Sequence, residues 1–231
     1  MDRALDQLLR EFPYEGGRVN ARLVRLDAER EVLQIRVELG ILQMESIGRP
    51  DGKPSVFDET AARRGKRLSS AEAALLRLEL VQYQQRAVAF MAIGDARRAL
   101  GDAEFVLASA AFLARCGPDA DAEWADGARF SAIVLRTRAA SAMLAAAGRA
   151  REAGSVIDAG LEMLFEAAER AGIAEHFDVL GDVTALRSMR DTLVPQLPPA
   201  QRSELEARLR TAVLSENYEL AAILRDELRL M

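Results

Sequence analysis

The chain is poor in the residues that most often carry chemistry. Its 231 residues include one cysteine (Cys116), one histidine (His176) and one tryptophan (Trp124). A single cysteine excludes an internal disulfide framework and a cysteine-cluster metal site. A lone histidine cannot supply a multi-histidine zinc site, even with Glu175, Asp178 and Asp182 close by in sequence. Cys116 precedes Gly117-Pro118 at an expected helix end, whereas an activated thiol wants the electropositive start of a helix. The glycines at Gly16-Gly17 and Gly48–Gly52 lack the spacing of a phosphate-binding loop. No catalytic residue, metal ligand or cofactor is therefore assigned. Long apolar runs are missing too, so no membrane-spanning helix is expected. Met1-Asp2-Arg3 opens an amphipathic stretch rather than the apolar core of a signal peptide. The expectation is a cytoplasmic chain.

Positive charge in excess is also missing. The net charge is −5. Residues 1–67 carry 13 basic and 12 acidic groups, residues 68–198 carry 13 and 18, and residues 199–231 carry 5 and 6. Nucleic-acid affinity comes mainly from neutralising phosphates, and no segment has the surplus to do it. Direct nucleic-acid binding is not expected. Lysine occurs only at Lys53 and Lys66.

Apolar residues make up half of the chain, yet only 5% of it is aromatic. Alanine dominates the middle, which favours closely packed helices. The expected fold class is mainly α. Stacked antiparallel helix pairs would carry a small N-terminal β-hairpin and a C-terminal helical hairpin. Three parts are expected: a small module over 1–67, a helical body over 68–197, and the hairpin over 198–231.

In the first part, residues 2–11 read as a helix with Leu5, Leu8 and Leu9 on one side, ended by Pro13 and Gly16-Gly17. Leu33, Ile35 and Val37 alternate with polar residues, the period of a half-buried strand. Val19–Leu26 would pair with them across residues 27–30; a helix over 21–45 is the competing reading. Leu39–Glu45 is a strand or helix entering a turn at Gly48-Arg49-Pro50-Asp51-Gly52, with Pro50 at position i+1. Gln43, Arg49 and Asp51 form a candidate docking surface. Residues 53–67 are polar and basic and are expected to be loosely ordered.

The body opens with a capping box, Ser69-x-x-Glu72. Helices are expected over about 69–92, 96–115, 128–147, 150–171 and 178–193, with an acidic loop around Trp124. Phe90, Gly94 and Ala99 match Leu144, Gly148 and Ala153, 54 residues later. Large apolar residue, turn glycine, small packing alanine: this order resembles a tetratricopeptide helix pair. The period is longer than that family's, and Val106 and Gly160 are unequal where small residues are expected. A plain helical bundle remains the alternative.

The tail offers Ser203-x-x-Glu206 and an apolar stripe of Leu205, Leu209, Ala212 and Val213. Pro198-Pro199 suggest an earlier helix start. Ser215 or Asn217 would cap a second helix showing Tyr218, Ala221, Ala222, Arg225 and Leu228 on one side. The string Leu205-Glu206, Leu209, Ala212, Tyr218-Glu219, Ala221-Ala222 and Leu224-Arg225-Asp226 resembles the UVR (UvrB/UvrC-type) motif over Leu205–Leu228. Glu216 departs from it where many members have leucine. The resemblance implies a hairpin for protein–protein contact. Members occur in bacterial excision-repair subunits, in Clp-type unfoldases and in an activator of a protein arginine kinase. By that resemblance Leu205, Leu209, Tyr218, Ala221, Ala222, Leu224 and Leu228 would supply apolar contact, and Arg225 and Asp226 polar register. The partner would be another UVR-motif protein or a second copy. Leu39–Gly52 is also similar to segments of bacterial proteins ending in that motif. The function implied is a non-enzymatic adaptor. The alternatives are an accessory factor of excision repair or of Clp-type proteolysis and, less supported, an enzyme with a site in the N-terminal module.

Overall fold

The computed structural model describes residues 3–28, 30–63, 67–193, 199–214 and 217–230. Helix α1 (Arg3–Glu11) leads into an antiparallel meander of β1 (Asn20–Arg25), β2 (Glu31–Val37) and β3 (Gly40–Glu45). The expected hairpin is present, with Leu23 opposite Leu33 and Ala21 opposite Ile35. A third strand joins it, with Leu33 opposite Met44. The competing helix over 21–45 is excluded. Side chains alternate across the sheet. Leu33 therefore faces the helices and packs with Ala89, Phe90, Ala99 and Ala139, while Arg22, Gln34 and Gln43 occupy the other face. There Arg22 Nε donates to Gln34 Oε1 and Gln34 Nε2 to Gln43 Oε1, both at 3.0 Å.

The stretch after the turn is more ordered than its polarity suggests. Helix α2 (Val56–Ala61) forms within it, with the Ser55 hydroxyl accepting from Asp58 N. Glu79, fully buried, adds a second cap: its Oε2 accepts from the backbone N–H groups of Val56 at 2.9 Å and Phe57 at 3.1 Å. Phe57 then meets Phe105 and Phe112 edge to face, and Phe105 stacks on Tyr83. Val56 and Phe57 both pack on the core of the helices that follow, and Thr60 is buried.

Five helices make the body: α3 (Ser70–Ala92), α4 (Ala96–Cys116), α5 (Ala122–Ala146), α6 (Ala150–Arg170) and α7 (Gly181–Leu193). Each consecutive pair packs together, and α5 also touches α3 and α7, which sets these three along one side of the stack. The buried stripes have helical spacing: Ala99, Ala103, Val106, Ala110 and Leu113 on α4, and Ala153, Ile157, Gly160, Leu164 and Ala168 on α6. The capping box at Ser69 and Glu72 is formed in both directions.

The 54-residue match has a physical basis. Gly94 and Gly148 both adopt positive φ, 80° and 74°. Asp95 N donates to Phe90 O and Arg149 N to Leu144 O, closing each helix with the same left-handed cap. The pairs differ inside. Val106 fills the core of α4, whereas Gly160 lets α6 approach Thr137 of α5 so closely that an added Cβ would lie 2.9 Å from Thr137 Cβ.

Two boundaries differ from expectation. Residues 119–126 are not a loop: a 3-10 turn at Asp119–Asp121 runs straight into α5. Acidic residues suit a helix start, and Asp121, 4% exposed, is ion-paired with Arg77. Trp124 thus lies on α5, packed against the largest core cluster. Before α7, Ala174–Val179 forms a 3-10 segment that buries Phe177.

Arg86 of α3 ties the sheet to the body. It is 3% exposed. Its Nε and Nη2 donate to the Asp102 carboxylate at 2.8 and 2.7 Å, and its Nη1 donates to the carbonyls of Glu45 and Gly48. Tyr83 and Phe90 flank the guanidinium. Burial pushes the Asp102 carboxyl above its ordinary value despite this fork.

Candidate protein-interaction site

Helices α8 (Pro199–Leu214) and α9 (Tyr218–Leu230) form the C-terminal hairpin. Helix α8 begins at Pro199, so Ser203 lies inside it rather than at its cap. Asn217 organises the turn from both sides. Its backbone N–H donates to Ala212 O at 2.9 Å, and its side-chain Oδ1 accepts from Leu220 N at 3.1 Å. Of the two expected caps Asn217 is used; Ser215, like Glu216, Pro195 and Pro198, lies outside the described residues.

The hairpin closes on its own small seam. Ala212, Ala221 and Leu224 are 3%, 8% and 2% exposed, with Leu205 and Leu209 packed against them. The two alanines let the helices come close. Among the described residues this cluster shares no member with the core of the body, and α8 and α9 pack extensively only with each other.

Four further described apolar side chains of the hairpin face outward. Val213, Leu214, Tyr218 and Ile223 are 51%, 85%, 68% and 59% exposed. Val213, Leu214 and Tyr218 cluster in sequence around the connecting turn. Val213, expected in the stripe with Ala212, leaves it. A family model described as the UvrB/uvrC motif matches residues 200–231. That is the last 32 residues of 231. Comparison with curated proteins and with solved structures returned no match. The UvrB/uvrC motif is an interaction motif, not a catalytic one.

With the motif assigned, the nine residues it implied separate into groups. Leu205, Leu209, Ala221 and Leu224 build the seam. Tyr218 and Arg225 are exposed, and Ala222 is half-buried. The side chains of Asp226 and Leu228 lie outside the described residues. The structure adds Leu214, Leu220 and Ile223 as outward apolar residues, which motif matching does not single out. Helical spacing alone carries no signal for them, because the crossing of α8 and α9 decides which side is outside.

Of the three N-terminal candidates, the structure pairs Arg49 with Asp51. Gln43 is itself exposed, and its Oε1 accepts from the buried Gln34 at 3.0 Å. Arg49 is 7% exposed and internally committed: Nη1 donates to Pro54 O at 3.0 Å, and Nε lies 2.9 Å from Asp51 Oδ1. The turn has the expected form, with Gly52 N donating to Arg49 O around Pro50. Arg49 is thus a brace of this turn, not an outward contact, because its reach is used within five residues. Among the perturbed carboxylates nearby, burial raises the pKa of Glu79, which caps α2.

Elsewhere, His176 is exposed and lies 3.4 Å from Glu175. Cys116 is the last residue of α4 and half-buried. Among the described residues no cluster of histidine, cysteine and carboxylates could hold a metal, and no helix is long and apolar enough to cross a membrane.

Proposed function

We propose that this chain is a non-enzymatic adaptor, bacterial and cytoplasmic, that binds a protein partner through its C-terminal hairpin. The observation that carries the reading is the division of labour within α8–α9. The seam residues are consumed by the hairpin itself, which leaves Leu214, Tyr218 and Ile223 exposed on a unit that, among the described residues, has no other extensive packing. Tyrosine is one of the residue types that most often dominate interface energetics. Three units follow: a sheet module over 1–67, a body over 68–197 that positions it, and the contact hairpin over 198–231.

The partner is a protein with a complementary apolar surface, another UVR-type hairpin or a second copy of this chain. The slightly acidic hairpin argues against gripping DNA itself. The name of the matched motif favours an excision-repair subunit over a Clp-type unfoldase. A photo-crosslinking residue placed at Tyr218 tests the reading, with sedimentation of the free protein to score self-association. Crosslinks to purified excision subunits or to a second copy support it. Capture that is unchanged by Leu214→Glu and Ile223→Glu overturns it.

A further inference from the structure

A cleft of about 580 Å³ lies where the segment from Phe12 to Ala21 passes over α3 and α5. Its floor is apolar: Val88, Met91 and Ala92 from α3, and Leu135 from α5. These α3 positions are three and four residues apart, so they share a side of the helix. Leu135 and Arg138 do the same on α5, which brings one cation to the edge of the floor.

The opposite wall is built, not loose. Asn20 is 7% exposed. Its Nδ2 donates to Glu15 O at 2.7 Å and to Arg18 O at 3.0 Å, while its Oδ1 accepts from Glu15 N at 3.2 Å. Arg36 Nε donates to Phe12 O at 2.8 Å, and the Arg22 guanidinium sits 4.3 Å from the centre of the Phe12 ring. A buried asparagine and two arginines therefore hold the wall in place before any ligand arrives. Three charged groups line the cleft. Arg18 and Glu15 pair at 2.6 Å and neutralise each other. Arg138 is exposed and makes no ion pair among the described residues.

We propose that this cleft binds a small amphipathic carboxylate, its apolar body on Val88, Met91 and Leu135 and its carboxylate on Arg138. The volume suits a small ligand. A guanidinium fork matches a carboxylate in two parallel hydrogen bonds. One unpaired cation balances a monoanion, whereas a phosphate monoester would leave a charge uncompensated. None of these residues belongs to the hairpin, so this site stands or falls apart from the protein-binding reading.

Isothermal titration of the full chain with octanoate, octanol and octyl phosphate tests the proposal. Saturable one-site binding of octanoate, weaker for both other probes, is expected. Arg138→Gln should weaken octanoate binding about tenfold or more, as loss of a charge-assisted pair implies. Ala92→Glu, at an exposed floor position, should abolish it by adding a second negative charge. Both positions are exposed, so circular dichroism and Tm should match the unaltered chain. A leucine tripeptide with a free C-terminus asks whether the carboxylate comes from a chain end. Its binding without octanoate binding overturns the small-acid assignment. So do equal binding of octanol, tighter binding of octyl phosphate, or an Arg138→Gln chain that binds octanoate as before.

Discussion

Leu224 and Ile223 are neighbours in α9 with opposite surroundings, which makes them a direct test of the hairpin. Leu224 is 2% exposed and Ile223 is 59% exposed. Leu224→Ala removes buried methyl groups and leaves a cavity, a change that costs about 2–5 kcal/mol at a buried position. The seam it belongs to has five described members, two of them alanine. A unit of this size draws no more than about 3–5 kcal/mol from its own core. The loss is therefore comparable to everything that holds α8 against α9, and local unfolding should follow. Ile223→Ala, on the outside, should change stability by no more than about 0.5 kcal/mol. Hydrogen exchange read by mass spectrometry separates the outcomes. In Leu224→Ala, peptides from 199–230 should lose protection while those from 70–170 keep it. In Ile223→Ala both should be unchanged. If α3–α6 lose protection together with the hairpin, the two are one cooperative unit and the reasoning fails. If the hairpin keeps its protection, the seam is not what closes it.

Three further outcomes follow from the body. Asp102→Ala strands the buried Arg86 guanidinium and should cost about 3–5 kcal/mol, as one-sided removal of a buried pair does; a thermal melt should show Tm falling by about 6–20 °C, and Arg86→Met combined with Asp102→Leu should recover part of it. Gly160→Ala drives a Cβ into Thr137 and should lower stability in urea by about 1–3 kcal/mol, partly restored by Thr137→Ala. The third concerns acid. Hydrogen bonds from the Ser69 backbone and hydroxyl, with Arg63 beside them, lower the Glu72 pKa to about 2. A lowered pKa means that the unfolded chain takes up the proton first, so the cap's contribution is complete above the ordinary value near 4.5 and is lost as pH falls from there to about 2. Amide exchange at the start of α3 should accelerate across that window, and Glu72→Gln should flatten the profile.

The elements readable from sequence are those whose cause is local. The Ser69–Glu72 box, the glycine stops at Gly94 and Gly148, the Pro50 turn and the period-2 run around Leu33 each need only near neighbours in the chain, and each appears where expected. The features missed depend on distant partners. Helix α2 needs Glu79 to cap it and Phe105, Phe112 and Tyr83 to receive Phe57. The start of α5 needs Arg77 to hold Asp121. Arg49 looks like an exposed arginine in a turn until its carboxylate and carbonyl partners are placed around it.

The hairpin shows both sides of this division. The pattern Tyr-Glu-x-Ala-Ala-x-Leu-Arg-Asp is enough to identify the motif and to place two amphipathic helices, because helix spacing and small contact residues are properties of the chain itself. Which apolar residues close the hairpin and which face a partner is not such a property. It depends on how α8 crosses α9, and a rotation of one residue along either helix would exchange Ala212 for Val213 or Leu224 for Ile223. Only the packed tertiary structure makes that choice, since it is the mutual burial of Leu205, Leu209, Ala212, Ala221 and Leu224 that leaves Leu214, Tyr218 and Ile223 in the solvent.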